Sequence, residues 1–353
     1  MYANPGKRRV AAAVIGAATL MALTACGAGS EPDLDAEGRE TVNVRTDVYF
    51  SGAVLPLVAG VETGIFEQHG LNVELNEGKG SATTIQTVGN GSDDIGYVDA
   101  ASLVQSVNQG IDVRMVAGMV QKSSLALYAL DPSGIKSPED LVGATAGFTP
   151  GSAAERIFPA YAEAAGIDEA AVQFRNVDIP TRTELFMAGR TDFTFGLLNV
   201  SGPNIEMKCD CQPVVLPYSD EGIQMLSSGI VAGDEFIEDR PATMDRFLAA
   251  LIEAVEYTNN ETDEAVEAFY RYAPDSTVDR SVLAEQWKIS MDLHRTTANE
   301  GEPFGCMAKE DWQSTIALME TYGGVEEGGV EVADVADNSH LPQPCRDELG
   351  AQS

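Results

Sequence analysis

The sequence has little positive charge, few histidines and few cysteines, and no long apolar run beyond residue 26. Lysine and arginine number 22 against 55 aspartates and glutamates, a formal charge of −33. Such a surface repels nucleic acid and anionic lipid, so neither is an expected partner, and an anionic ligand must be held by local dipoles against that field. The three histidines, His69, His294 and His340, form no pair at metal-ligand spacing, and no Gly-x-Ser-x-Gly elbow is present. Catalysis, a metal and a cofactor are therefore not expected.

The apolar run that does exist lies at the start. Lys7, Arg8 and Arg9 precede Val10 to Leu23, a run of signal-peptide length and too short to span a bilayer comfortably. It ends in Leu23-Thr24-Ala25-Cys26, which resembles the lipobox of bacterial lipoproteins. Residues 1–25 then read as a signal peptide, and Cys26 as the lipidated first residue of a chain held to the extracytoplasmic face of the cell membrane. Losing three basic and no acidic residues with that segment takes the formal charge from −33 to −36. An ordinary secretory signal with a chance cysteine is the alternative. Arg8-Arg9 hints at twin-arginine export, without support from its flanks.

Export permits disulfides among the remaining cysteines, Cys209, Cys211, Cys306 and Cys345. Of three possible pairings, Cys209–Cys211 with Cys306–Cys345 is preferred, because the last two share the C-terminal third. A Cys-x-Cys metal site lacks nearby histidines or a second close cysteine pair.

At 353 residues and 44% hydrophobic, the chain can fill two lobes. Residues 26–40 are small, polar and acidic and read as a tether. Strands are expected at 41–50, 71–75, 94–98 and 113–119, alternating with helices at about 55–68 and after Gly78-Lys79-Gly80-Ser81, so lobe 1 begins at 41–124. The alternation suggests a parallel sheet with helices on both faces. The pattern repeats over 125–222 as lobe 2, with strands at 144–148, 172–177 and 192–197 and helices at 152–165 and 182–188. A strand near 226–232 returns to lobe 1, which continues over 223–322. Met244, Phe247, Leu248, Leu251, Ile252 and Val255 form a helical stripe. Further helices are expected near 264–272, 281–294 and 309–322, with Trp287 and Trp312 in the core. The acidic, Gly-rich tail 323–353 would wrap the surface.

In open α/β sheets ligands sit beyond the carboxyl ends of the strands. In lobe 1 that rule selects Asp47, Tyr49, Phe50, Gly80, Ser81, Tyr97, Asp99 and Ser102. In lobe 2 it selects Thr149, Gly151, Ser152, Asn199, Tyr218 and Asp220. Helix starts at Ser81 and Ser152 present free N–H groups, and the aromatic residues could sandwich a ring. Gly78-Lys79-Gly80-Ser81 lacks the glycine spacing of a phosphate loop. Arg156 and Arg182 fall within expected helices, so no basic clamp is evident in lobe 2. The acidic pair and the aromatics favour a planar heteroaromatic ligand with N–H donors.

Val61 to Leu75 (VETGIFEQHGLNVEL), Gly91 to Ala101 (GSDDIGYVDAA) and Ile135 to Phe148 (IKSPEDLVGATAGF) resemble three landmarks of the substrate-binding proteins of ABC importers. The match is to the group that takes aliphatic sulfonates, nitrate, taurine and thiamine pyrimidines, and covers about residues 41–258. The resemblance implies a two-lobed type II periplasmic-binding-protein fold with a two-strand hinge and, here, a C-terminal helical extension. It implies a monomer that encloses one small molecule and delivers it to an ABC permease with its ATPase subunit. A pyrimidine-like ligand is preferred and an organic anion is the alternative: sulfonate, taurine, nitrate or aromatic carboxylate. The same fold serves a cytosolic thiamine-pyrimidine synthase, which keeps an enzyme reading in view.

Overall fold

The computed structural model describes residues 33–150 and 152–349. The signal segment, Cys26 and Gly151 lie outside the described residues. Order begins before the expected start: Leu34 bridges Glu40, and the Asp35 carboxylate accepts the Arg39 N–H at 2.8 Å. Within the expected tether, residues 33–39 thus form a turn against the first strand.

The first half of the chain runs β1 (Glu40–Arg45), α1 (Leu55–Glu62), α2 (Ile65–Gln68), β2 (Leu71–Asn76), α3 (Ser81–Gly89), β3 (Ile95–Asp99), α4 (Ala100–Asn108) and β4 (Val113–Val120). Gly64, at φ 76°, breaks what the apolar pattern suggests is one helix into α1 and α2. The chain then crosses to β5 (Leu125–Ala129), β6 (Thr145–Phe148), α5 (Ala153–Ala164), β7 (Gln173–Asn176), α6 (Ile179–Met187), β8 (Phe193–Leu197), α7 (Ser201–Cys209) and β9 (Val214–Pro217). It returns through β10 (Ser228–Gly233) to α8 (Asp234–Asp239), α9 (Pro241–Asn260), α10 (Thr262–Tyr272), α11 (Arg280–Asp292), α12 (Lys309–Thr321) and α13 (Val332–Val335).

Two five-stranded sheets result, ordered β2-β1-β3-β10-β4 and β7-β6-β8-β5-β9. They share one plan: three parallel strands, then an antiparallel strand, then an edge strand. The antiparallel member, β10 in one sheet and β5 in the other, is in each case the strand that arrives from the other lobe. The sheets are therefore mixed where the strand–helix alternation suggested parallel ones. The sequence pattern predicts neither β5 nor β9: both are short apolar runs without alternation, β5 because it is buried on both faces and β9 as a half-buried edge strand of four residues.

Packing follows the apolar stripes. Met244, Phe247, Leu248, Leu251 and Val255 of α9 are buried against α1 and α2, with Phe66 and Phe247 stacked at 5.3 Å. Each such side chain contributes roughly 1.5–3 kcal/mol. Trp287 and Trp312 are both buried. The C-terminal tail does more than wrap: Val335 and Ala336 are fully buried, and Ala336 bridges Met115 at the edge of the first sheet.

Cys209 is joined to Cys211, and Cys306 to Cys345 across 39 residues. Closing the longer loop restricts the unfolded chain, so Cys306→Ser with Cys345→Ser should cost about 3 to 4 kcal/mol. Chemical unfolding of the oxidised protein and the double variant measures the difference; equal midpoints and slopes would contradict it.

Candidate ligand-binding site

The carboxyl ends of the parallel strands of both sheets face one another across a cavity of ≈ 420 Å³. Its walls come from the segments that follow β1, β2 and β3 on one side and β6, β7 and β8 on the other, closed by the two crossings. The segments beyond the strand ends of both lobes thus line one cavity.

On the lobe-1 wall, Asp47, Tyr49, Ser81, Asp99 and Ser102 all line the cavity. Asp99 caps α4, its Oδ1 accepting the Ser102 N–H at 2.7 Å, and Ser81 Oγ accepts the Asp99 N–H at 3.1 Å. The Gly78-Lys79-Gly80 turn packs on the Asp47 loop: Gly80 N–H donates to the Asp47 carbonyl at 2.6 Å. A Cβ on Gly78 would stand 2.0 Å from the Thr46 carbonyl oxygen, so only glycine fits there. This close approach accounts for Gly78, whereas Gly80 is required by its φ of 116°.

Asp47 is enclosed enough that burial, aided by the charge of Asp99, raises its pKa to about 7, against the N–H of Val48 that stabilises its anion. At neutral pH it therefore stands near half protonation, next to a second carboxylate. Such a pair can both accept from and donate to a ligand.

The lobe-2 wall holds Thr149 and Ser152 as expected positions. Their partner is Glu155, fully buried at the start of α5. It accepts the Thr149 N–H at 3.1 Å, the Ser152 hydroxyl and the Arg182 guanidinium. Burial pushes the Glu155 carboxyl up, opposed by Arg182. Arg182 Nε and Thr149 Oγ1 are buried without a hydrogen-bond partner among the described residues.

Several expected positions lie elsewhere. Tyr97 is only 3% exposed and its ring belongs to the lobe-1 core, because both faces of β3 are covered. Its hydroxyl side is near Ser228, Asp47 and Asp99, beneath the cavity floor, so it supports the wall without lining it. Tyr218 is fully buried, stacked on Tyr161 at 4.6 Å and donating to the Ala154 carbonyl at 2.9 Å. Asn199, 2% exposed, turns to Ser290 of α11, and Asp220 is exposed outside the cavity. Phe50 faces a neighbouring compartment, edge-on to Tyr272.

Residues outside the expected set complete the cavity. Arg156 and Arg182 line it, which corrects the expectation that lobe 2 offers no cation to the cleft. Both sit in the first turn of a helix that follows a strand, Arg156 in α5 and Arg182 in α6. Arg156 also donates to Gln105 Oε1 at 2.9 Å, across from α5 to α4. Ser123 and Ser124 of the first crossing, and Ser227 and Ser228 of the second, form the floor. The three histidines are placed away from this cavity. His69 pairs with Glu253, His340 with Asp245, and His294 stacks on Phe304.

Stability should carry the signature of Asp47. The unfolded residue ionises near 3.8 and the folded one near 7, so between those values only the folded state keeps the proton. Its contribution is fully present below about pH 3.8 and is lost as pH rises to about 7. Denaturant unfolding at pH 4.5 and pH 8 should show Asp47→Asn gaining on the parent at the higher pH. A difference between the two proteins that is independent of pH would refute the assignment.

Comparison with known proteins gives one family and a set of distant relatives. The family model described as NMT1/THI5 like matches residues 52–265. The formylaminopyrimidine-binding protein of Halalkalibacterium halodurans is 23% identical over 295 residues, 83% of this chain and 88% of the relative. The 4-amino-5-hydroxymethyl-2-methylpyrimidine phosphate synthase of Legionella pneumophila is 22% identical, over 62% of this chain and 69% of its own. Among solved structures, the alkanesulfonate-binding protein SsuA of Xanthomonas axonopodis pv. citri, bound to MOPS, superposes with a TM-score of 0.64 at 15% identity. That match covers 84% of this chain and 97% of the other. The architecture described above is the two-lobed periplasmic-binding-protein fold.

Proposed function

The chain belongs to the NMT1/THI5-like family, and on that footing we propose that it is the solute-binding component of an ABC import system. Its ligand is a small planar polar molecule of the aminopyrimidine class, taken between the lobes without being turned over and passed to a permease with its ATPase subunit. A lipid on Cys26 holds the monomer at the extracytoplasmic face of the membrane.

The observation that carries the ligand class is the pair of carboxyl groups, Asp47 and Asp99, on one wall of a ≈ 420 Å³ cavity. That volume lies within the range of small-molecule sites. An aminopyrimidine offers a ring nitrogen beside an exocyclic N–H. A carboxyl near half protonation matches that edge with two parallel hydrogen bonds, donating to the ring nitrogen and accepting from the amine. The hydroxyls of Ser81, Ser123, Ser227 and Ser228 supply further donors and acceptors around the ring. The name of the Halalkalibacterium relative, a formylaminopyrimidine-binding protein, supports the same class.

Arg156 and Arg182 favour a second reading, an organic anion such as the sulfonate buffer bound by the Xanthomonas protein. Glu155 already neutralises Arg182, and the two carboxyls opposite would repel an anion, so the first reading is preferred. The Legionella synthase raises turnover as the alternative of another class. Here every histidine is engaged away from the cleft.

A thermal-shift screen of aminopyrimidines, aromatic carboxylates, sulfonates and nitrate tests the reading. At a hundredfold excess over the dissociation constant the ligand should add roughly 2.7 kcal/mol of stability. Asp99→Asn keeps an oxygen for the Ser102 cap, so it should lower aminopyrimidine affinity at least tenfold with little change in unliganded Tm. A shift by anions alone would overturn the ligand class, and appearance of product would overturn the binding-only role. For the anchor, Cys26→Ala should release the protein from the membrane fraction or block processing. Intact mass showing cleavage elsewhere and no acyl chains would end that idea.

A further inference from the structure

The inner cavity adjoins a second compartment of ≈ 940 Å³, and Tyr49, Ile179, Arg182 and Ser201 line both. A single layer of side chains therefore separates them. Five large apolar side chains are exposed among the described residues, and three of them, Tyr49 (44%), Ile179 (41%) and Met207 (42%), face this outer space. Scattered exposed apolar residues are ordinary. Three on one concave face beside the inner cavity are a different matter: set among polar neighbours such as Thr183, Asn204 and Ser276, they offer apolar surface that an extension of a ligand can cover.

The walls are built rather than accidental. Phe50 stands edge-on to Tyr272, ring centroids 5.8 Å apart, and its N–H is held by Glu77 Oε1 at 2.8 Å. Tyr272 Oη donates to the Leu75 carbonyl at 3.2 Å, which fixes the start of the segment 273–278 from the C-terminal helices along one side. Opposite lie α6 and α7 of lobe 2, so the compartment spans the same two lobes as the inner cavity. Glu77, Glu184 and Asp275 face Lys208 around it, while Arg182 is already paired with Glu155. That balance disfavours an anionic group in the outer space.

We infer that the ligand is longer than a single ring: a polar head against Asp47 and Asp99, carrying an uncharged apolar or aromatic arm that passes Tyr49 and Ile179 into the outer compartment. The inference rests on the cleft-binding reading above and narrows it. Compounds consisting of the head alone fill only the inner cavity and bind more weakly than those with an arm. Each methylene moved from water onto an apolar wall is worth about fourfold in affinity, ~0.8 kcal/mol.

Calorimetric titration of the protein with 4-aminopyrimidine and with the same ring bearing an n-butyl or a benzyl substituent tests this. The substituted compounds should bind at least tenfold tighter than the bare ring. Met207→Asp, on the exposed face of the outer compartment only, should abolish that gain and leave the bare-ring affinity unchanged. If the bare ring binds and the arm adds nothing, or if the gain survives in Met207→Asp, the extended-ligand inference falls while the cleft assignment stands. If neither the ring nor its substituted forms bind, both fall together.

Discussion

Ser124 and Ser227 meet through their hydroxyl oxygens at 2.6 Å, and the cleft depends on that contact. Each serine sits on one of the two crossings between lobes. The Ser124 carbonyl accepts the Leu198 N–H at 2.7 Å, and the Ser227 carbonyl accepts the Ala100 N–H at 2.7 Å. The two crossings are thereby tied to each other and to the strand ends of both sheets. Since β5 and β10 enter antiparallel at equivalent positions of two sheets built on one plan, the carboxyl ends of the parallel strands must face each other across this floor. Backbone groups that a parallel strand would leave unpaired at a crossing are satisfied here by the crossings themselves.

Electrostatics in the cleft run against the charge of the whole. A chain of formal charge −33 places Arg156, Arg182 and Lys79 around the cavity, but fixes Arg182 on the buried Glu155. Glu155 is worth more to the architecture than to recognition: it joins the β6–α5 turn to α6 through three donors. Removing one partner of such a buried pair leaves an uncompensated charge, which is why the wall keeps its shape as a unit. Asp47 lowers its own cost of burial by staying partly protonated, and this leaves a donor and an acceptor in place where two full charges would repel each other.

Much of this was legible in the sequence, for identifiable reasons. Strong period-two and period-3.6 patterns placed β1 to β4, α9 and the chain's return near Leu226, and the strand-end rule then reached Asp47, Ser81, Asp99, Thr149 and Ser152. The same rule failed where side-chain direction matters. Tyr97 and Asp99 are two apart on one strand, yet the first ends in the core and the second caps a helix at the cavity. Tyr218 and Asn199 also follow strands but turn toward Tyr161 and Ser290, contacts that only tertiary packing creates. Arg182 opens the expected helix 182–188, and nothing local shows which way its side chain points; α6 begins at Ile179, itself on the cavity wall, and Arg182 follows it there in the first turn. The serines of the crossings carry no local signal, since their role exists only once two distant segments meet.

The most direct test of the account is a crystal structure of the protein soaked or grown with an aminopyrimidine ligand. The account predicts one molecule between the lobes, its ring edge within hydrogen-bonding distance of Asp47 and Asp99 and the floor serines beneath it. Ligand density on a lobe surface, or a molecule in the cleft held by Arg156 and Arg182 with both carboxyls turned away, would contradict it.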